Sequence, residues 1–196
     1  MPLPIEITSL IKDGKTLDSF LNSGLQLNKK LLLGELSDSE INKGLYAFWW
    51  SGNSKLLPEK SVRIHTQQEK NAKIRWLKKD FPQVCFKANR LPLYIGKTGN
   101  FTGRISQHLR LSTETWKKHG EGRLSKPTTS CQFRSGLEHI FDYCGLKKNI
   151  VNFKNITLTF IPIQDDPNNE AIKNRFYLED FAIGYYRPWF NVDSER

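Results

Sequence analysis

Cysteine is scarce in this chain, and long apolar runs are missing. The three cysteines are an odd number and include no CxxC pair, which indicates reduced thiols and a cytoplasmic protein rather than a disulfide scaffold. No stretch approaches the roughly 20 apolar residues that a membrane-spanning helix needs, so no membrane partner is expected. The opening residues, MPLPIEITSL, lack a basic segment followed by an apolar one, and therefore do not read as a secretion signal.

Zinc-binding patterns are also lacking. The residues from which a zinc site could be imagined are His119, Cys131, His139 and Cys144, and their spacings do not match the paired ligands of structural zinc sites. Both cysteines of this set instead fit core positions of one helix, predicted over Ser130–Tyr143. The sequence therefore does not favour a zinc protein.

Acidic residues are few relative to basic ones. The 20 Asp and Glu residues face 30 Lys and Arg residues, which gives a formal net charge of +10. A cationic surface gains free energy by displacing counterions from a phosphate backbone, so this excess favours a nucleic-acid partner. An anionic membrane would attract the same charge, but because no apolar run of membrane-spanning length accompanies it, DNA is the expected partner. At 196 residues the chain should form one domain with additions.

The pattern of apolar residues predicts an α+β fold. Residues 1–43 are interpreted as an N-terminal accessory arm, with a short helix from Thr16 to Gly24, and residues 44–196 as the main domain. Three strands are predicted in that domain, at Gly44–Trp50, from Leu91 to Ile95 and at Ile156–Ile163. A final helix is predicted to begin at Asp165-Asp-Pro167 and to end at Pro188.

Two basic segments are candidates for contact with DNA. Residues 53–90 form a polar insertion, in which Gln67–Asp80 could be a helix that Pro82 closes. A loop over 112–129 is the second segment. Each could face DNA or could simply be a solvated surface, and their charge does not decide between the two. The candidate residues are Lys70, Lys73, Lys78, Lys79, Lys117, Lys118, Arg123 and Lys126.

A strand–turn–helix over 93–108, LYIGKTGNFTGRISQH, brings polar groups together. The strand supplies Tyr94 and Lys97, and the helix supplies Arg104 and His108 four residues apart, on one face. Ile105 and Leu109 are also four apart and suit a core. This unit could bind a phosphate, or it could be an ordinary amphipathic unit with a solvated face.

A carboxylate falls within the apolar stripe predicted for the final helix. Ile172, Phe176, Ile183 and Tyr186 recur at intervals of three or four residues, and Glu179 lies among them. A buried charge must be compensated, because an isolated one is very costly. Glu179 could therefore form a structural salt bridge, for example to Arg104, or it could bind a metal ion.

Five motifs follow one another along the chain: GLY at 44–46, YIG at 94–96, Arg104 with His108, Glu179 and Asn191. In this order they resemble the GIY-YIG nuclease superfamily over about Gly44 to Asn191. Among its members the chain looks most like the type II restriction endonucleases, which share the insertion and the arginine–histidine pair. Leu45 replaces the usual isoleucine, and Tyr46 and Tyr94 are 48 residues apart, farther than in the repair and homing members.

The resemblance implies a small mixed sheet flanked by helices and a single Mg²⁺ or Mn²⁺ ion held by Glu179. Arg104 would place two donors on the scissile phosphate. Tyr46 would be the general base for the attacking water, with Tyr94 helping to position that water. A free tyrosine has a pKa of about 10, so a neighbour must favour phenolate. Lys97 by its charge and His108 by a hydrogen bond are the candidates, and Asn191 would make supporting hydrogen bonds.

The function implied is hydrolysis of phosphodiester bonds in double-stranded DNA by a sequence-specific restriction enzyme. A homodimer would suit a palindromic site, and a methyltransferase acting on the same site would be expected without being bound to the enzyme. One alternative is a structure-selective repair or anti-phage nuclease. Another is a catalytically silent DNA-binding module.

Overall fold

The computed structural model describes residues 3–12, 14–21, 28, 31–32, 42–57, 60–63, 73–109, 133, 153–163 and 170–191. The predicted α+β class is confirmed, and the described residues include a four-stranded sheet and four helices. The helices are α1 (Ile5–Leu10), α2 (Gln83–Lys87), α3 (Phe101–His108) and α4 (Glu170–Tyr186). The strands are β1 (Lys15–Thr16), β2 (Gly44–Trp50), β3 (Lys60–Arg63), β4 (Lys73–Leu77), β5 (Leu91–Thr98) and β6 (Ile156–Pro162).

The main sheet has the order β1-β6-β2-β5, and every neighbouring pair in it is antiparallel. The prediction of a mixed sheet is therefore wrong. The three predicted strands are confirmed as β2, β5 and β6, and β1 adds a short fourth. Strand polarity depends on where the connections run, which residue types and periodicity do not specify.

Strand β2 forms the centre of the core because both faces of the sheet are covered there. All seven of its residues are buried. Phe48 packs on the Phe133 ring on one face, with centroids 3.9 Å apart. On the other face Trp49 meets Tyr186 of α4 edge to face at 5.0 Å. A strand buried on both faces needs apolar residues at every position, which explains the continuous run GLYAFWW.

The described part of segment 1–43 packs into this same core. Ile7 and Leu10 of α1 are buried, and β1 pairs with β6 at Lys15 opposite Leu158. The Tyr186 hydroxyl of α4 donates to the Ile7 carbonyl at 2.8 Å. The domain boundary at residue 43 stays a prediction, but α1 and β1 are part of the core and do not project from it.

The short helix predicted from Thr16 to Gly24 is only a 3₁₀ turn, Leu17–Phe20. Thr16 stands at its N-cap position but makes no side-chain cap hydrogen bond. Gly24, the predicted stop, lies outside the described residues, as do the 112–129 loop, Asp165–Pro167 and, apart from Phe133, the helix predicted at 130–143.

The helix predicted over Gln67–Asp80 is wrong where the structure describes it. Strand β4 occupies Lys73–Leu77 and pairs antiparallel with β3, and a 3₁₀ turn, Lys78–Asp80, follows. Polar and apolar residues alternate over the first four residues of β4, KIRW, which is the period of a strand and not of a helix. Pro82 does not close a helix but is the N-cap residue of α2, before the first turn.

The final helix is confirmed, but its buried stripe is displaced from the predicted one. Its buried residues include Arg175, Leu178, Ala182 and Tyr186, whereas Phe176 is 53% exposed. Arg187 then adopts a left-handed φ of 57°, and Pro188 follows. The predicted stripe, with Phe176 and Ile183, and the buried one, with Arg175 and Ala182, are one residue apart and both fit the helical period. The sequence pattern favoured the first, which is wrong. None of the described helices is both long and apolar enough to cross a membrane.

Burial of the Cys85 thiol in α2 makes the stability of the fold sensitive to alkaline pH. Desolvation raises its pKa from 9.0 to about 12. Above pH 9 the unfolded chain gains stability by ionising this thiol while the folded chain does not. We expect the free energy of unfolding to fall as the pH rises from about 9 towards 12, and to fall less steeply for Cys85→Ala. Urea unfolding at several pH values measures both slopes, and equal slopes would contradict this account.

Candidate active site

Tyr46 lies directly over a glycine of the neighbouring strand. The β2–β5 register places Tyr46 opposite Gly96. A Cβ atom at position 96 would lie 2.5 Å from the Tyr46 hydroxyl oxygen and 2.7 Å from Cζ, closer than real Cβ contacts. Glycine at the third position of YIG therefore gives the phenol room to lie flat on β5.

The Tyr46 hydroxyl meets a buried imidazole at the end of α3. The oxygen lies 2.8 Å from His108 Nε2, within hydrogen-bonding distance. Helix α3 begins at Asn100, whose side-chain oxygen accepts from the Gly103 N–H at 2.9 Å, and it ends at His108. Asn100 at the start of α3 is exposed and His108 at its end is buried, so the helix places the imidazole in the core.

Aromatic rings surround this phenol–imidazole pair. The Tyr94 ring stacks on Tyr46 with centroids 6.2 Å apart and lies 5.2 Å from the His108 ring. Phe48 and Phe133 contact His108 edge to face at 5.5 and 5.6 Å. In such a low-dielectric surrounding the phenol–imidazole hydrogen bond is stronger than it would be in water.

The free edge of β5 is covered by α4 and by the residues that follow it. β5 is an edge strand of the sheet, so alternate backbone groups point away from β2. Asn191 satisfies both groups of Ile95: its oxygen accepts from the Ile95 N–H at 2.9 Å and its nitrogen donates to the Ile95 carbonyl at 2.7 Å. The Phe190 N–H donates to the Leu93 carbonyl at 2.8 Å.

Glu179 accepts a hydrogen bond from the next backbone N–H that points away from β2 along this edge, that of Lys97. Its Oε1 accepts from the Lys97 N–H at 3.0 Å, and its Oε2 forms an ion pair with the Lys97 ammonium. The sequence suggested an arginine such as Arg104 as the structural partner of this carboxylate, but the ion pair is made with Lys97. Only 12% of the Glu179 side chain is exposed, and 26% of that of Lys97.

The Gly96–Lys97 peptide unit links the two parts of the site. Tyr46 with His108 covers Gly96 on one face of the sheet, and Glu179 binds the Lys97 N–H at the edge. Lys97 itself lies opposite Leu45, so its side chain leaves the face opposite to Tyr46. The influence of its charge on the phenol stays a prediction.

Glu179 fits a Mg²⁺ or Mn²⁺ ion as a single carboxylate ligand. Within the described residues, no cluster of three or more His, Cys, Asp or Glu side chains could hold a metal. Mg²⁺ keeps several of its waters and is often bound through one or two carboxylates together with substrate phosphates, so a lone, partly exposed carboxylate suits it. Arg104 is half-buried on α3, one turn before His108.

The predicted DNA-contacting residues are not brought to one place by the described structure. The Lys78 ammonium donates to the carbonyls of Ser54 and Leu57, both at 3.2 Å, and so fastens the 3₁₀ turn Ser54–Leu56. Lys79 is exposed, and Lys73 lies on β4. Lys70, Lys117, Lys118, Arg123 and Lys126 lie outside the described residues, as do His119, Cys131, His139 and Cys144.

One residue of the site was missed by reasoning from sequence. The Lys97 ammonium lies over the Phe176 ring, 3.6 Å from the ring centroid, whereas the sequence pattern assigned Phe176 to the core. Its position three residues before Glu179, on the same helix face, was the signal available.

A scan against protein-family models found no match for this chain, and searches of curated proteins and of solved structures found none either. The function of the chain is therefore inferred from its own residues and their geometry.

We expect Gly96→Ala to displace the Tyr46 ring, because the added Cβ would overlap its hydroxyl oxygen and Cζ. Forcing a methyl into packed surroundings costs about 1–3 kcal/mol. Chemical denaturation should measure that loss. Gly99→Ala is the matched control, since a Cβ at position 99 meets no heavy atom within 4 Å. Equal stability of the two variants would show that the contact at Gly96 is not tight.

Proposed function

We propose that this chain is a metal-dependent DNA endonuclease of the GIY-YIG type. The observation that carries the proposal is the hydrogen bond of Tyr46 to His108 over Gly96, beside the one carboxylate that caps the Lys97 N–H. The Tyr46 phenol lies beside the His108 imidazole, which can act as a base, and the Glu179 carboxylate is a hard-oxygen ligand for a metal ion one peptide unit away. Such an arrangement suits the deprotonation of a water beside a metal-bound phosphate.

The proton transfers can be assigned to this chain's residues. Attack of a water on phosphorus releases a proton, which Tyr46 would accept while its own hydroxyl proton passes to His108 Nε2 over their 2.8 Å contact. Arg104 would donate two hydrogen bonds to the phosphate oxygens, a planar geometry that lysine does not provide. A divalent ion bound at Glu179 would stabilise charge on the phosphate and on the leaving oxygen, which takes its proton from solvent.

Charge supports DNA as the substrate. The formal net charge is +10, and β3 and β4 form an antiparallel two-stranded ribbon. Its register pairs Arg63 with Lys73 and Val62 with Ile74, and Arg75 lies on β4 as well. A two-stranded ribbon fits the major groove of B-form DNA, so this basic ribbon is our candidate for contact with the duplex.

Sequence-specific restriction is the biological role we favour, with double-stranded DNA as substrate and a homodimer for a palindromic site. A cognate methyltransferase would protect the same site. The insertion between β2 and β5, which contains the basic ribbon, is the feature that favours restriction over the structure-selective alternative, because it supplies a separate DNA-contacting element.

We expect the purified protein with Mg²⁺ to cut plasmid DNA into discrete fragments, and EDTA to abolish cutting. Tyr46→Phe and Glu179→Gln should each lower the single-turnover rate by at least about 100-fold, because one removes the proton acceptor and the other the anionic ligand. Asp180→Asn, a change of the adjacent exposed carboxylate on α4, should cut at the rate of the unmodified protein.

Other products would point to other functions. Cleavage confined to flaps or junctions would favour the structure-selective nuclease. Binding of DNA without cleavage in Mg²⁺ or Mn²⁺ would favour the catalytically silent module. Cutting that persists unchanged in Glu179→Gln would contradict the proposed chemistry.

The ribbon has its own test. We expect Arg63→Gln and Arg75→Gln each to weaken DNA binding and to reduce the slope of log affinity against log salt by about 0.9, the loss of one phosphate contact. Fluorescence anisotropy with Ca²⁺ in place of Mg²⁺ measures the slope without cutting. Lys87→Gln, an exposed charge on α2, is the control. Slopes equal to that of the unmodified protein would exclude the ribbon from the interface.

A further inference from the structure

The ammonium group of Lys97 is held by two residues of α4 that are three positions apart. Glu179 Oε2 binds it as an ion pair, and the Phe176 ring lies 3.6 Å away. An ammonium over the face of an aromatic ring is attracted by the ring quadrupole. Phe176 is 53% exposed, so the ring contributes little to the core and its described contact is with this charge.

Both carboxylate oxygens of Glu179, the candidate metal ligand, already bind Lys97. Oε1 accepts a hydrogen bond from the Lys97 backbone N–H, and Oε2 accepts one from the Lys97 ammonium. A divalent cation that binds this carboxylate would meet a positive charge already in contact with it. Two cations at one carboxylate repel each other, so the ammonium and a metal ion compete for Glu179.

We propose that Lys97 and Phe176 form a latch on Glu179, in which the lysine ammonium is an internal competitor of the divalent cation. Phe176 is the positioning residue: its ring keeps the ammonium at the carboxylate, and metal binding displaces that ammonium. This inference rests on the proposed nuclease function, because it assumes that Glu179 binds a metal ion.

The latch predicts that variants which weaken it bind metal more tightly. Lys97→Met should raise the affinity for Mn²⁺ by about ten-fold, the size of one charge-assisted contact. Phe176→Leu should raise it by about two- to five-fold, the size of an exposed cation–π contact. Lys97→Arg keeps the competing charge and should bind Mn²⁺ about as the unmodified protein does.

Mn²⁺ titration of the DNA-free protein, with unbound Mn²⁺ counted by electron paramagnetic resonance, measures these affinities without any cleavage reaction. Lys87→Met controls for the loss of one positive charge from the surface. Tyr177→Leu controls for the loss of an exposed aromatic ring on α4, since Tyr177 is 58% exposed and its ring contacts Phe181. Both controls should leave the affinity unchanged.

The outcomes separate the latch from the function. Binding that Glu179→Gln abolishes, but that Lys97→Met leaves equal or weaker, would overturn the latch and leave the metal site intact. An effect of Lys97→Met without any effect of Phe176→Leu would overturn the role of Phe176. If neither the unmodified protein nor Lys97→Met binds Mn²⁺ through Glu179 without DNA, the latch fails, whereas the proposed metal chemistry fails only if Glu179→Gln also cuts plasmid DNA at the rate of the unmodified protein.

Discussion

The outward-facing backbone groups of β5 are the constraint on which both the fold and the candidate site depend. An edge strand in a packed protein must have its N–H and C=O groups satisfied, and water cannot reach those that α4 covers. Two side chains make these hydrogen bonds here: Asn191 bonds to the N–H and C=O of Ile95, and Glu179 accepts from the Lys97 N–H. A residue that a nuclease would use for metal binding is thereby fixed by the same bond that completes the sheet.

The central strands could be predicted from the sequence because burial on both faces leaves few alternatives. A run such as Gly44–Trp50 cannot be exposed without a large cost in free energy, and its position in the core follows from its composition alone. The secondary structure of the insertion at 53–90 was harder to predict. In the described structure β3 and β4 pair only with each other, and their lysines are compatible with either a helix or a strand. The alternation in Lys73–Leu77 was present but short.

The candidate site, like the fold, could be predicted only in part from the sequence. Tyr46, His108 and Glu179 were predicted because their order along the chain resembles the GIY-YIG motifs, and Glu179 also because it is a carboxylate within an apolar stripe. The structure adds their contacts: the phenol beside the imidazole, and the carboxylate beside Lys97. The sequence could not supply the second partner of the Lys97 ammonium, since the helical period alone does not show which face of α4 meets the sheet. Phe176 was therefore assigned to the core, although it lies beside the charge.

The position of β6 between β1 and β2 has a consequence for the synthesis of the protein. Chains emerge from the ribosome N-terminus first, and here β1, the first of the described strands, pairs with β6, the last of them. β1 and β2 cannot join one sheet until residues beyond 156 have been made. Glu179 and Asn191 follow later still. A growing chain of this kind therefore completes the sheet, and places Glu179 and Asn191 against β5, only after residues 156–191 have been made.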